Sequence, residues 1–251
     1  MTSPFDLTGR CAVVTGAGRG LGQAIALGLA QAGADLVLLG RPGSQSATRE
    51  QVAGLGRDVE VVDLDVSDHD AVVRVAAEVN GRRQVDILVN NAGIIDRQDS
   101  VDVSRQSWDR VVDTNLSGLF FLCQAFGRPM TERGHGKIVN VASLLSFQGG
   151  LRVASYAASK HAVAGITKAL ANEWARLGVQ INAIAPGYMT TDNTTALRAD
   201  PDRSRSILER IPAGRWGEAA DIAGAAVFLS SAAADYVNGH VLVVDGGWMA
   251  R

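Results

Sequence analysis

The sequence contains few of the side chains that hold metals or form disulfides. Its 251 residues include two cysteines and four histidines. Cys11 lies in the apolar run CAVVTG and Cys123 in GLFFLCQAF, which is typical of small core hydrophobes. The four histidines show no metal-ligand spacing. We therefore expect no bound metal and no redox role for either cysteine.

Long apolar runs and blocks of basic charge are absent as well. No uncharged apolar stretch reaches the length of about 18 residues that a membrane span needs, and MTSPFDLTGR resembles no targeting signal. Lys and Arg number 24 against 26 Asp and Glu, without a basic run, so nucleic acid is not an expected partner. We expect a cytoplasmic protein that is not bound to a membrane and acts on a small molecule.

Three common catalytic motifs are also missing. The chain has no H-E-x-x-H, no G-x-S-x-G and no G-x-x-x-x-G-K-[ST]. These motifs carry zinc hydrolysis, serine hydrolysis and P-loop phosphoryl transfer, respectively. The sequence therefore favours a different chemistry.

What the sequence does contain is a regular alternation of strand-like and helix-like segments. Seven β-branched runs are separated by stretches with apolar residues three and four apart, and these runs are CAVVTG, DLVLLG, VEVVDLD, DILVNNAG, KIVNVAS, VQINAIAPG and HVLVVDGG. Such alternation requires right-handed crossovers and a parallel sheet covered on both faces. We predict one α/β domain over residues 1–251, a Rossmann fold with a doubly wound, seven-stranded parallel sheet. Ligands of such sheets bind beyond the carboxyl ends of the strands.

A glycine-rich turn, TGAGRGLG, follows the first predicted strand and leads into a helix. Gly16, Gly20 and Gly22 would allow a tight turn and close approach of backbone N–H groups to a pyrophosphate at the helix N-terminus. A glycine turn of this kind can also be purely structural. Its position in the first strand–helix unit favours dinucleotide binding.

Polar motifs follow the other strands in a fixed order. They are DVSD at 65–68, NNAG at 90–93, Asn115, Ser143, the pair Tyr156 and Lys160, and PGYMTT at 186–191. Together with T-G-x-x-x-G-x-G at 15–22, this set resembles the short-chain dehydrogenase/reductase family over essentially the whole chain. The resemblance implies hydride transfer with NAD(P), with catalysis by Asn115, Ser143, Tyr156 and Lys160. The resemblance and the residues after the second strand together predict the cofactor residues Thr15, Gly16, Gly18, Arg19, Gly20, Leu21, Gly22, Gly40, Arg41, Asp65, Val66, Asn91, Ala92, Gly93, Tyr156, Lys160, Pro186, Gly187, Met189 and Thr191.

The spacing of Tyr156 and Lys160 fits an acid/base role. Residues four apart share one helix face, so the ammonium can lie near the phenol. A free phenol titrates near pH 10, and a nearby positive charge favours the phenolate. We predict that Tyr156 exchanges the proton and that Ser143 hydrogen-bonds the substrate oxygen. The resemblance implies that the Asn115 amide holds a water that links Lys160 to solvent.

The end of the second strand bears on the choice of cofactor. NAD-preferring folds usually carry a carboxylate there, whereas this strand ends in LVLLGRP. With Gly40 leaving space, Arg41 and Arg19 could pair with a 2′-phosphate, so we favour NADP(H) over NAD. The alternative is that Arg41 merely stacks over the adenine.

Several other stretches, among them SLLSFQGG and RIPAGRWG, resemble the bacterial sugar-acid branch of the same family. The resemblance implies a deoxy-ketogluconate or gluconate substrate. An anionic substrate needs a cation, and Arg97 and Arg152 are the candidates, although either could be a solvated loop residue. Further substrate candidates are Ser146, Gln148 and Tyr188.

Two other functions remain open at this point. A 3-oxoacyl thioester reductase shares all the catalytic motifs, and a non-catalytic dinucleotide sensor would need only the cofactor site. The resemblance also implies a homotetramer that pairs through the helices NLSGLFFLCQAF and YAASKHAVAGITKALANEWA, with Trp248 to Arg251 near a neighbouring subunit. An alternative explanation for their apolar faces is deep burial within one chain.

Overall fold

The computed structural model describes residues 3–251 and contains one seven-stranded parallel sheet. All seven predicted strands are present, in the order β3-β2-β1-β4-β5-β6-β7. The strands are β1 Cys11–Thr15, β2 Asp35–Gly40, β3 Val59–Asp63, β4 Ile87–Asn90, β5 Gly136–Val141, β6 Val179–Pro186 and β7 Val241–Val244. The predicted doubly wound Rossmann fold is therefore confirmed.

Helices cover both faces of this sheet. They are α1 Gly20–Gln31, α2 Ser46–Gly54, α3 His69–Arg82, α4 Arg105–Val112, α5 Gly118–Arg133, α6 Ala154–Trp174, α7 Thr195–Ala199, α8 Pro201–Leu208 and α9 Ala220–Ser230. A π-helical turn, Asp113–Ser117, joins α4 to α5. Because both faces are covered, the central strands are apolar almost throughout, as expected for parallel strands.

Two apolar cores lie on opposite faces of the sheet. On one face, Phe126 of α5 and Val163 of α6 pack with the strands. On the other, Ile25 of α1 and Ile222 of α9 do the same. A third, smaller cluster consists of Leu144, Ile207, Ile211 and Trp248, and it lies outside both cores. This third cluster supports the short helices between β6 and β7.

The strand order reverses between β1 and β4, which are neighbours in the sheet. From β1 the chain winds outward to β2 and β3, and from β4 it winds the other way to β7. A crevice forms at such a reversal, beyond the carboxyl ends of the strands. Thr15, Asn90, Val141 and Pro186 end four of the strands, so the motifs that follow them meet at one edge.

Candidate active site

The glycine-rich turn delivers the uncapped N-terminus of α1 to this crevice. The helix begins at Gly20, no side chain caps it, and its first turn contains no acidic residue. The first N–H groups of a helix lack intrahelical partners and favour an anion. This end of α1 therefore fits a phosphate group.

Two glycines of the turn are required for different steric reasons. A Cβ on Gly22 would lie 2.2 Å from the Gly16 carbonyl oxygen, so only glycine allows this packing of helix on turn. Gly20 has φ +55°, and a Cβ there would find only Thr191 Cγ2, at 3.9 Å. The space in front of Gly20 is open, and a pyrophosphate fits where a larger side chain would intrude.

Thr15 and Asn91 bind the ends of β1 and β4 together. The Thr15 hydroxyl oxygen accepts from the backbone N–H groups of Asn91 at 3.0 Å and Ala92 at 2.9 Å. The Asn91 amide donates to the backbone oxygens of Thr15 at 3.0 Å and Gly16 at 3.2 Å. These predicted cofactor residues fix the floor of the crevice.

The predicted open space beside Gly40, at the end of β2, is absent. A Cβ on Gly40 would lie 2.5 Å from the Gln45 side-chain nitrogen, so the Gln45 amide fills that space. Gln45 is fully buried, and among residues 3–251 its amide has no hydrogen-bond partner. Arg41 follows directly and is exposed. Arg19, the second predicted phosphate ligand, instead pairs with Asp192 at 2.8 Å.

The predicted residues Asp65 and Val66 follow β3 in a tight turn. The Asp65 carboxylate accepts from the Ser67 backbone N–H at 2.9 Å and from its hydroxyl at 2.6 Å. These hydrogen bonds, and more weakly the Arg41 charge, lower the pKa of Asp65. Val66 is buried, and Gly118 of α5 packs directly against its carbonyl oxygen.

Ser143, Tyr156 and Lys160 come together above the end of β5. The Lys160 ammonium lies 5.6 Å from the centre of the Tyr156 ring and donates to the Val141 carbonyl at 2.6 Å. The Ser143 hydroxyl oxygen accepts from the Leu145 N–H at 3.1 Å. Tyr156 and Lys160 therefore share one helix face, as their spacing predicts.

The electrostatics of this group are dominated by burial. Desolvation raises the pKa of Tyr156, while a hydrogen bond with Ser143 and the Arg97 charge act in the opposite direction. Desolvation also lowers the pKa of Lys160 to about 8. We expected a net lowering of the phenol pKa. Burial outweighs the favourable contacts of the phenol, so its pKa is raised instead.

Asn115 lies in the π-helical turn and is buried. Its side-chain oxygen accepts from the Ile94 N–H at 2.8 Å, and its nitrogen donates to the Ile94 carbonyl at 2.8 Å and to the Ser159 hydroxyl at 3.2 Å. Ser159 in turn donates to the Tyr156 carbonyl at 2.8 Å. Asn115 thus connects the loop after β4 to α6. Sequence reasoning missed Ser159, although it directly precedes Lys160.

One continuous cleft contains the catalytic side chains and the motif after β6. Ser143 and Tyr156 line it, together with the segment from Pro186 to Met189 and Thr191. Among the described residues that line the cleft, the only charged side chains are Arg97 and Arg203. Its charge is therefore positive, although the chain as a whole has a net charge of −2.

The structure separates the two arginines that the sequence offered as substrate ligands. Arg97 lines the cleft and donates to the Asn193 carbonyl at 2.9 Å. Arg152 is exposed, pairs with Asp99 at 3.1 Å and is not among the residues that line the cleft. It also has φ +62°, an unfavourable conformation for a residue with a side chain. The geometry thus favours Arg97.

The remaining substrate candidates also differ in position. Gln148 and Tyr188 line the cleft, whereas the Ser146 hydroxyl is buried and donates to the Lys160 carbonyl at 2.6 Å. Arg203, which the sequence gave no reason to select, lies in the cleft wall. No motif marks it, because it lies on α8, beyond the end of the PGYMTT motif at 186–191.

Trp248 belongs to the wall behind Tyr188. The two ring centres are 4.6 Å apart, and the Arg210 guanidinium lies 4.0 Å from the Trp248 ring centre. The Trp248 indole N–H points to the Gln148 side-chain oxygen at 3.4 Å. The Trp248 side chain is buried within its own chain, and its expected position near a neighbouring subunit stays a prediction.

Within residues 3–251, no helix is both long and apolar enough to cross a membrane. The same residues contain no cluster of three His, Cys, Asp or Glu side chains placed to hold a metal.

A doubly wound sheet with an uncapped helix N-terminus, a Ser–Tyr–Lys group and an adjoining cleft defines a dinucleotide-dependent oxidoreductase. The chain belongs to the short-chain dehydrogenase/reductase family. A family described as enoyl-(acyl carrier protein) reductase matches residues 16–249.

Full-length relatives share the fold and much of the sequence. The 2-dehydro-3-deoxy-D-gluconate 5-dehydrogenase of Bacillus subtilis is 56% identical over 247 residues, covering 98% of this chain and 97% of that protein. An Agrobacterium tumefaciens structure with bound NADP, named provisionally as a 2-deoxy-D-gluconate 3-dehydrogenase, is 57% identical with a TM-score of 0.95 and covers all of both chains. The gluconate 5-dehydrogenase of Burkholderia cenocepacia, in complex with NADP and tartrate, is 41% identical with a TM-score of 0.96 and covers 99% of this chain and 98% of that chain.

Proposed function

We propose that this protein is an NADP(H)-dependent dehydrogenase that interconverts a secondary alcohol and a ketone on a sugar acid of the deoxy-ketogluconate or gluconate class. The observation that carries the proposal is the cleft beside Tyr156, where Arg97 and Arg203 are the charged lining residues and no carboxylate lines the wall in the described part of the chain. Such a cleft favours a small anion. The relatives named for gluconate chemistry support the same substrate class.

The cofactor residues provide one surface for the whole dinucleotide. The N-terminus of α1 and the open space before Gly20 suit the pyrophosphate, and exposed Arg41 suits a 2′-phosphate. Pro186 to Thr191 lies beside Tyr156 on the nicotinamide side. When bound, the nicotinamide supplies or accepts the hydride.

The protein's own side chains handle the proton and the substrate oxygen. Tyr156 gives a proton to the oxygen of the ketone during reduction and removes it during oxidation. Ser143, whose hydroxyl faces the same cleft, hydrogen-bonds that oxygen as charge develops. Lys160 lies over the Tyr156 ring and favours the phenolate. Asn115 holds the loop after β4 against α6, and the water that it would bind connects Lys160 to solvent.

A substrate panel tests this function. With NADPH, we expect turnover of 5-keto-D-gluconate or a 2-dehydro-3-deoxy keto acid and at least about 10-fold lower kcat/KM with a 3-oxoacyl thioester. Tyr156→Phe protein is the matched control for enzyme-catalysed turnover. Preferential turnover of the thioester would replace the proposal with an acyl reductase. Cofactor binding without turnover of any panel member would point to a dinucleotide sensor.

We also propose that the enzyme is a homotetramer in the cytoplasm. The outer face of α6 exposes the small residues Ala158, Gly165 and Ala169, which allow close helix packing between subunits. Both cysteine thiols are free and buried, as is usual in a reducing compartment. Sedimentation velocity should give a species of four chains, and a monomer at micromolar concentration would contradict the assembly. Cell fractionation tests the compartment.

A further inference from the structure

Arg203 lies on the wall of the cleft formed by α8, away from the catalytic motifs. Its guanidinium forms no ion pair and donates no hydrogen bond to any residue in the 3–251 range, and only its backbone N–H is used, by the Asp200 cap. A cation in a cleft wall without a carboxylate partner is available to an anionic ligand. Arg97, by contrast, already donates to Asn193.

The local structure of α8 directs Arg203 toward the cleft. Pro201 begins the helix, and the Asp200 carboxylate accepts from the N–H groups of Asp202 and Arg203, both at 3.1 Å. Ile207, one turn after Arg203, is buried in the cluster with Leu144. Residues four apart lie on one helix face, so Arg203 shares the face that packs toward Leu144, a residue of the cleft wall next to Ser143.

We propose that Arg203 is a substrate-specificity residue that binds the carboxylate of the sugar acid, while Arg97 stays near the reacting carbon. This inference rests on the proposed function. It assigns separate roles to the two cations of the cleft: Arg97 acts at the reacting carbon, and Arg203, on α8, binds the carboxylate.

The distribution of charge around Tyr156 supports this division. The Arg97 charge lowers the pKa of the Tyr156 phenol, against the larger effect of burial, and acts in the same direction as the Lys160 ammonium over the ring. Arg97 and Tyr156 line the same cleft. A sugar acid that reacts at C5 carries its carboxylate at the far end of the carbon chain, so the cation that binds it must lie farther from the phenol. Arg203 is the other cation that lines the cleft, and α8 carries it outside the catalytic segments.

Arg203→Gln and Arg205→Gln form a matched pair for the test. Arg205 is also an exposed arginine of α8 but lies two residues further on, about 200° around the helix, and does not line the cleft. The two variants therefore lose the same charge from the same helix. The substrates are 5-keto-D-gluconate and the neutral keto sugar in which a hydroxymethyl group replaces the carboxylate.

We expect Arg203→Gln to raise KM for 5-keto-D-gluconate by about 10- to 100-fold, with kcat and the KM for the neutral keto sugar within about twofold of the unmodified enzyme. Arg205→Gln should change none of these values by more than about twofold. Equal behaviour of the two variants, or equal losses on charged and neutral substrates, would overturn the role of Arg203. If the unmodified enzyme itself does not prefer the charged substrate, the proposed function fails, and the role of Arg203 fails with it.

Discussion

The two sides of the cleft are built by different means. On the cofactor side, at the ends of β1, β2 and β4, the surface consists largely of backbone, with Gly20 leaving open space and Thr15 and Asn91 bonding to main-chain atoms. On the substrate side, the surface consists of side chains carried by loops and by the short helix α8, among them Arg97 and Arg203. A backbone surface suits a ligand shared by many enzymes, whereas side chains can vary with the substrate.

Replacing Tyr156 with phenylalanine should give the largest difference between an effect on turnover and an effect on cofactor binding. The change removes the hydroxyl that exchanges the proton and leaves the glycine turn untouched, so we expect kcat to fall by at least about 100-fold. The Kd for NADPH, measured by fluorescence titration, should stay within about threefold. Turnover near that of the unmodified enzyme would refute the assigned role.

The glycine turn and the Tyr156–Lys160 pair have the local geometry that the sequence predicts, because the constraints on them are local. Gly16, Gly20 and Gly22 lie within one turn, and the spacing of Tyr156 and Lys160 on one helix fixes their relative position. The strand pattern likewise determined the sheet, because continuous apolar runs fit only strands covered on both faces.

The substrate side could not be predicted in the same way. Arg97 and Arg152 both occupy loops, and nothing in their neighbours indicates that one lines the cleft and the other pairs with Asp99. Arg203 is on the same helix as Ile207, which packs into a cluster with Trp248, a residue from the far end of the chain. The Gln45 amide beside Gly40 is a tertiary contact of the same kind. Such positions depend on packing between distant segments, which spacing does not reveal.

Burial of Lys160 should make the stability of the protein depend on pH. Its pKa is lowered from 10.5 to about 8 by desolvation. Between these two pH values the unfolded chain holds a proton on Lys160 that the folded chain does not. The free energy of unfolding therefore increases as pH rises. This gain in the free energy of unfolding is complete above the pKa of Lys160 in the unfolded chain. It is lost as pH falls to the pKa of Lys160 in the folded chain.

The measurement compares unmodified protein with Lys160→Met in urea at several pH values. The difference in unfolding free energy, unmodified minus variant, should increase by about 1 kcal/mol per pH unit between about pH 8 and 10.5, and by at most about 3 kcal/mol in total. Because both proteins share all other titrating groups, their contributions cancel to first order. A difference that is flat over this interval would show that Lys160 is not desolvated.

On the cofactor side, Gly20→Ala should weaken NADPH binding by about 100-fold, since a methyl group would enter the space that suits the pyrophosphate and weaken charge-assisted hydrogen bonds to it. Gly56→Ala is the matched control. Gly56 also has positive φ, at +74°, and a Cβ there would meet nothing within 4 Å. Both variants should lose about 1–2 kcal/mol of stability from backbone strain, so calorimetry should give similar Tm values. Equal affinities for NADPH would mean that Gly20 does not face the phosphates.

Arg41 provides a smaller test of the same side. Arg41→Ala should lower kcat/KM with NADPH by about 10-fold or more and leave the value with NADH nearly unchanged, because only NADPH carries the 2′-phosphate. Arg19→Ala is the control. Since Arg19 pairs with Asp192, its loss should alter the ratio of the two cofactors by less than about threefold. An enzyme that prefers NADH both before and after Arg41→Ala would contradict the assignment to NADP(H).

The smallest effect is expected at Arg152, which the sequence analysis named with Arg97 as a candidate substrate ligand. Its ion pair with Asp99 is largely exposed and should contribute less than about 1 kcal/mol. Its φ of +62° destabilises the folded chain by a similar amount, and glycine would adopt this φ without that strain. Arg152→Gly should therefore leave the midpoint of urea denaturation nearly unchanged, because the two effects offset each other. It should also leave KM for 5-keto-D-gluconate within about twofold, whereas Arg97→Gln should raise it. A rise in KM on Arg152→Gly that spared the neutral keto sugar would place the carboxylate at Arg152 and contradict the role proposed for Arg203.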